Sequence, residues 1–141
     1  MAIDAKLLEV REYTGDGYKP VVDFGAWRVA LMRHAADLDP DKIVNMQRHD
    51  ETDEVFVLLQ GRCILFVGEG GETVAGIHAQ DMEPFKVYNV KKGVWHTHVF
   101  SKDAVVLIVE NADTTSANSP KTVLSESARK EIRTLTAALW V

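Results

Sequence analysis

The run QRHDETDEVFVLLQG, Gln47 to Gly61, holds one histidine and four carboxylates, His49, Asp50, Glu51, Asp53 and Glu54, directly before an apolar stretch. Like charges at the entrance of a buried strand repel one another, and their desolvation is costly. Either these acids form a solvated turn or something positive sits among them. A second stretch, GVWHTHVF, carries His96 and His98. Residues two apart on a strand share a face, so Gln47 and His49 point one way, and His96, His98 and Phe100 share another face. If the two strands lie side by side in a barrel, His49 and His96 converge, and a carboxylate from the acidic turn closes the site. Two imidazoles and one carboxylate hold a divalent transition metal while leaving positions open for substrate. A cation there also removes the repulsion among the acids.

The elements that must position these groups are mostly strands. Residues 3–10 read as a short helix or an edge strand, and TGDGYKP (14–20) as a turn. VVDFGAWRVALMRH, Val21 to His34, is rich in β-branched and aromatic residues, with Gly25 as a bend or bulge, and ADLDPDK breaks it. EVFVLLQ and RCILFVGE flank Gly61, and a turn follows at 68–73. FKVYNV (85–90), GVWHTHVF (93–100) and AVVLIVEN (104–111) continue the hairpin pattern. About seven short strands with almost no helical periodicity indicate an all-β antiparallel sandwich or barrel over about 21–111. The polar stretch 112–124 reads as a connector. Beyond it, Ser125 is an N-cap, and Ala128, Ile132, Leu135 and Leu139 form the apolar stripe of a helix over about 125–140. That stripe must be covered by the outside of its own barrel or by another subunit.

At the histidines the chain resembles the cupins, in the manner of a small single-domain bacterial cupin of the cupin 2 type. The first cupin motif places two histidines two apart, then a glutamate, then a glycine after six further residues; His49, Glu54 and Gly61 match it, while Gln47 stands for the first histidine and Asp41 for an upstream glycine. In the second motif Gly93 and His96 match, with Lys91 in place of a proline and Phe100 in place of an asparagine. The resemblance covers residues 40–111 directly. It implies a double-stranded jelly-roll barrel, extended here by the C-terminal α-helix, whose mouth holds iron, manganese, zinc or nickel. In such a site His49, Glu54 and His96 are the ligands, and the family includes dioxygenases, isomerases, lyases and non-catalytic binding modules. Gln47 offers an amide oxygen to the ion, or hydrogen-bonds a water or substrate. His98 is an alternative source of the lacking imidazole, or a core residue.

The remaining residues narrow the function. The 141 residues form a single domain, 1–141, and the net charge of −5 with no basic patch argues against nucleic acid and anionic membrane partners. No apolar stretch approaches the roughly 18 residues of a membrane span, and the N-terminus lacks a secretory signal. One cysteine, Cys63, inside an apolar run reads as a buried, reduced thiol, so a cytoplasmic location is expected. There is no phosphate loop, nucleophile elbow or Cys-x-x-Cys pair, and SANSPK offers a serine without an evident base. Lys86, Lys91, Lys92 and Arg48 can steer an anionic substrate or simply keep turns soluble. His78 reads as a surface residue in a loop, and His34 as the end of a strand near the cavity. Trp95, alternating with His96, should point out of the barrel and, with the helix, suggests a homodimer. The expected function is metal-dependent chemistry on a small organic acid or sugar-like metabolite, with His98 and Tyr88 as proton-transfer residues. A metabolite-binding module and a structural homodimer with a vestigial pocket are the alternatives.

Overall fold

A computed structural model describes residues 2–141. Ten strands form two five-stranded antiparallel sheets that close on each other as a barrel. The first sheet has the order β1-β2-β9-β4-β7, built from Gly17–Phe24, Trp27–Arg33, Val105–Asn111, Glu54–Gln60 and Val87–Val90. The second has the order β10-β3-β8-β5-β6, from Lys121–Val123, Asn45–Gln47, Trp95–Phe100, Cys63–Glu69 and Gly76–Asp81. Among the described residues a single α-helix, α1, spans Glu126–Leu139, with the Ser125 hydroxyl accepting from the Ala128 N–H as its cap. This is the cupin-type barrel with a C-terminal helix that the strand pattern and the motifs implied.

Alternation along the strands sorts side chains between two cores. Phe56, Leu58, Leu65, Phe100, Val106 and Ile108 fill the barrel. Ile64, Phe66, Val99 and Trp95 leave the opposite face of the second sheet and pack under Ile132 of α1. β5 is therefore buried on both faces, which is why RCILFVGE reads as a continuous apolar run instead of an alternating one. The helix stripe is covered by its own barrel. Trp95 does point outward, but it is 2% exposed. Its Nε1 donates to the Gly71 carbonyl at 2.9 Å, and the Arg48 guanidinium lies 4.8 Å above the ring. Trp95 and the stripe of α1, except Leu139 at its end, are thus covered within one chain.

Several elements differ from the sequence reading. Val21 to His34 is not one bent strand: Gly25, at φ +56°, sits in the hairpin turn between β1 and β2. Pro20 lies inside β1 instead of closing a turn, which is tolerated because β1 is a sheet edge and its register slips between Pro20 and Val22. The supposed connector holds a 3-10 turn at Ser116–Asn118 and the strand β10, which pairs with β3. Both of these strands have three residues, too few for a periodicity to show. His78 is on β6 and not in a loop, though exposed, with Nε2 3.0 Å from Glu69. Residues 3–10 form only a turn, in which the Leu7 and Leu8 N–H groups donate to the Asp4 carbonyl. No helix among the described residues is long and apolar enough to cross a membrane.

Ile132, fully buried beneath the helix, is the contact through which α1 is held. Ile132→Ala should cost about 2–5 kcal/mol in denaturant unfolding. Leu139→Ala, at the more exposed end of the stripe, should cost under about 1 kcal/mol.

Candidate metal centre

Two glycines of the motifs set the backbone around the site. Gly61 turns β4 into β5 at φ +72°, and a Cβ there would lie 2.7 Å from the Ala104 backbone, so both conformation and space require glycine. Gly93, at φ +81°, turns into β8, and its N–H donates to the His49 carbonyl at 2.8 Å. That bond ties the loop carrying the first motif to the strand carrying the second.

The acidic run divides by function. Arg48 Nε donates to Asp50 at 2.9 Å, and Asn118 donates to Glu51 at 3.1 Å. Asp53 accepts from the Asn89 side chain at 3.0 Å and the Lys92 N–H at 2.7 Å, which holds its carboxyl below the ordinary range. Glu54 alone turns inward. It opens β4 and is 6% exposed, beside His49 and His96 at 7% and 5%. Its Oε1 lies 3.3 Å from His49 Nε2 and 2.9 Å from His96 Nε2. The donor atoms of these three residues all fall within 4.8 Å of one another.

The far sides of both rings are tied down. His96 Nδ1 donates to the Val94 carbonyl at 3.1 Å, and His49 Nδ1 lies 2.7 Å from the Ser119 hydroxyl. Ser119 of SANSPK therefore does meet an imidazole, because the pairing of β10 with β3 sets the segment before β10 beside the His49 loop. With Nδ1 engaged, each ring presents Nε2 to Glu54, the tautomer and orientation that outer partners impose on metal-binding histidines. Burial alone would raise the Glu54 carboxyl, but hydrogen bonds from His49 and His96 hold it well below the ordinary range. Burial opposes the charge on His49, and its bond to Glu54 overcomes this and raises it. Each Nε2 needs a positive partner toward the carboxylate, a proton or a metal ion that displaces it. Two donors each about 2.1 Å from one ion are at most about 4.2 Å apart. Both contacts with Glu54 satisfy that limit and the two ring nitrogens lie within 4.8 Å of each other, so the donor set suits a mononuclear divalent ion with at most a small closure of the rings.

Three residues that the sequence reading did not select complete the wall. Glu110 on β9 is 5% exposed, and Oε2 lies 4.0 Å from His49 Nε2. Its Oε1 accepts from the Tyr18 hydroxyl and from Arg28 Nη2 at 2.8 Å, while Arg28 also donates to the Ala112 and Thr114 carbonyls. Burial, then the neighbouring Glu54, pushes the Glu110 carboxyl up to about 7. One signal for it was present: an acid in register with the inward-facing Val106 and Ile108.

The remaining expected residues fall in different places. Gln47 pairs with His96 across β3 and β8, lines the cavity, and commits its amide nitrogen to the Ser119 carbonyl at 3.3 Å. His98 lies deeper, its ring 5.8 Å from Phe56 and 5.2 Å from Phe100. Its Nδ1 is buried without a hydrogen-bond partner, and burial, then His96, pushes its pKa down to about 4. Tyr88 is not brought to the cluster: its hydroxyl accepts from the Glu83 N–H at 3.0 Å, and it lines a separate apolar groove with Leu65 and Val94. His34 pairs with Asp39 at 2.7 Å, away from the centre.

The centre sits at the base of a cavity of about 360 Å³ lined by Tyr18, Arg28, Gln47, His98, Thr114, Thr115 and Ser116, among others. A second lobe of about 230 Å³ shares Gln47, His96 and His98, and carries Lys42 and Lys121 at its rim. β3 and β8 pair only at Gln47 and His96, and this second lobe opens beside that pair.

No family model matches the sequence, and no curated protein resembles it in sequence. Solved structures share its shape. A Streptomyces PAC13 variant with uridine is 8% identical, with 82% of this chain and 86% of that chain covered and a TM-score of 0.56. Pac13, a unique nucleoside dehydratase, gives 7%, 82%, 87% and 0.55 in another structure. KdgF from Halomonas sp. is 12% identical over 71% of this chain and 81% of that chain, with a TM-score of 0.51. Identities this low carry the fold alone, a cupin-type barrel.

His98 gives the site a pH signature. A ring with a pKa of about 4 in the folded chain and 6.5 ordinarily takes its proton first in the unfolded chain. The associated stability is complete above pH 6.5 and falls away as pH drops toward 4, by on the order of 3 kcal/mol. His98→Phe should flatten the unfolding free energy across that window, measured in denaturant with chelator present. An unchanged slope would refute this account of the ring.

Proposed function

We propose that the protein is a metal-dependent enzyme of the lyase or isomerase kind that acts on a small hydroxylated metabolite. The observation that carries this reading is the buried His49, Glu54 and His96 cluster, with both outer ring nitrogens already engaged. These three side chains would hold the ion. A divalent ion supplies a Lewis acid for a substrate oxygen.

Tyr18, Thr114, Thr115 and Ser116 line the larger lobe; the Tyr18 and Thr114 hydroxyls already donate to Glu110 and the Asn111 carbonyl, so Thr115 and Ser116 supply the hydroxyl donors for a sugar-like ligand. Arg28 is engaged by Glu110 and two carbonyls, so it is not free to bind an anion. Lys42 and Lys121 on the smaller lobe are the cations for an acidic group of the substrate. His98 lines both lobes as a neutral ring at pH 7 that can hydrogen-bond a ligand, and with its pKa pushed down to about 4 it is a weak base for proton transfer. Gln47, between the lobes, orients the ligand through its amide. The neighbour Pac13, a nucleoside dehydratase, has a barrel of similar shape, which supports the lyase reading.

Elemental analysis of the purified protein tests the proposal. About one divalent ion per chain is expected, and His96→Ala should remove it. A metal-free wild type with an intact fold would sink the reading. A ligand that raises the melting temperature of the loaded protein yet is recovered unaltered from every incubation would make the barrel a binding module instead.

A further inference from the structure

The register of the first sheet places two acids beside one another. Val55 pairs with Val109, and one step along, Glu54 of β4 stands across from Glu110 of β9; Arg28 of β2 pairs with Glu110 from the other side. The row therefore reads guanidinium, carboxylate, carboxylate. Like charges directly opposite on neighbouring strands destabilise a sheet. Arg28 and Tyr18 both donate to Oε1 of Glu110, and neither satisfies Oε2. Oε2 is buried without a hydrogen-bond partner. It lies 4.0 Å from His49 Nε2, inside the roughly 4.2 Å that separates two donors of one ion at most, while the set with all donors within 4.8 Å of one another is His49, Glu54 and His96, so ligation would draw the Glu110 carboxylate inward.

We infer that Glu110 is a protein ligand of the metal centre and takes the place that the first motif leaves to Gln47, making a centre of two histidines and two carboxylates. The inference rests on the metal reading above. It answers a physical need at both ends: the ion neutralises the pair of facing acids, and the second carboxylate replaces the lacking imidazole. Gln47 is a poorer candidate because its amide oxygen is uncharged and would leave the two facing acids unneutralised. His98 is poorer still, since its ring sits one pleat deeper between Phe56 and Phe100. The Tyr18 and Arg28 bonds fix the Glu110 carboxylate, as outer partners of metal ligands do. Exchanging an imidazole for a carboxylate shifts preference toward harder ions, so manganese(II) is favoured relative to a three-histidine site.

The test is calorimetric titration of chelator-stripped protein with Mn²⁺. Glu110→Gln keeps the shape and the Oε1 contacts, and it should weaken Mn²⁺ binding at least about tenfold. Gln47→Ala should change it less than about threefold. Equal affinity in Glu110→Gln and wild type would overturn the inference while leaving the metal reading intact, as would a tenfold loss in Gln47→Ala alone. A wild type that takes up no Mn²⁺, Fe²⁺, Zn²⁺ or Ni²⁺ would take down both. Should Glu110→Gln not fold, pulsed electron paramagnetic resonance of the Mn²⁺-loaded wild type counts imidazoles directly. Two are expected, and three would hand the position to His98 and refute the assignment. In the same case Glu110→Asp, which keeps the charge but withdraws the carboxyl, should also lose about tenfold in affinity.

Discussion

A buried carboxylate governs this molecule. Glu54 is removed from water at the start of a barrel strand, and a charge in that position is tolerable only with positive partners in direct contact. The two imidazoles supply them. Their arrangement in turn depends on bonds from distant parts of the chain: Val94 fixes one ring, Ser119 fixes the other, and Gly93 joins the His49 loop to β8. The acids around Glu54, which looked alike in the sequence, are consumed by turn and loop contacts. Only one of four had to be inside.

The same constraint explains the far wall. Glu110 doubles the negative charge across one pair of strands, and Arg28 and Tyr18 engage just one of its oxygens. Two acids therefore stand beside two ring nitrogens, with one oxygen of Glu110 left without a partner, beneath a cavity lined by hydroxyl-bearing residues and two lysines. Apolar packing makes that arrangement stable. Phe56 and Phe100 form the floor against which His98 rests, and the second core under α1 covers the outside of the sheet that carries His96.

Much of this architecture was legible from periodicity. The long strands around Gly61 and the pair leading to Asn111 have the length and branching that mark buried β structure, and the helix carries both its cap and its stripe. The two strands that escaped, β3 and β10, have three residues each and exist because they pair with each other and with β8. The β1–β2 hairpin was hidden because Gly25 reads equally as a bend within one strand. Trp95 was placed on the right face, but its cover comes from Arg48, the Gly71 region and α1, contacts that no local pattern encodes.

By itself the sequence determined the class of fold and the core of the site, because side-chain alternation and the spacing of His49, Glu54, Gly61, Gly93 and His96 are local properties of the chain. It did not determine the surroundings of that core. Ser119 meets His49, and Glu110 faces Glu54, through pairings between strands 70 and 56 residues apart, with positions fixed by register and barrel closure. Tyr88 carried a suitable hydroxyl, yet it stands opposite Phe56 and that hydroxyl accepts from the Glu83 N–H instead of reaching the cluster. Chemistry at a single residue can be read from its type and neighbours, whereas the convergence of residues is decided by how sheets fold over one another.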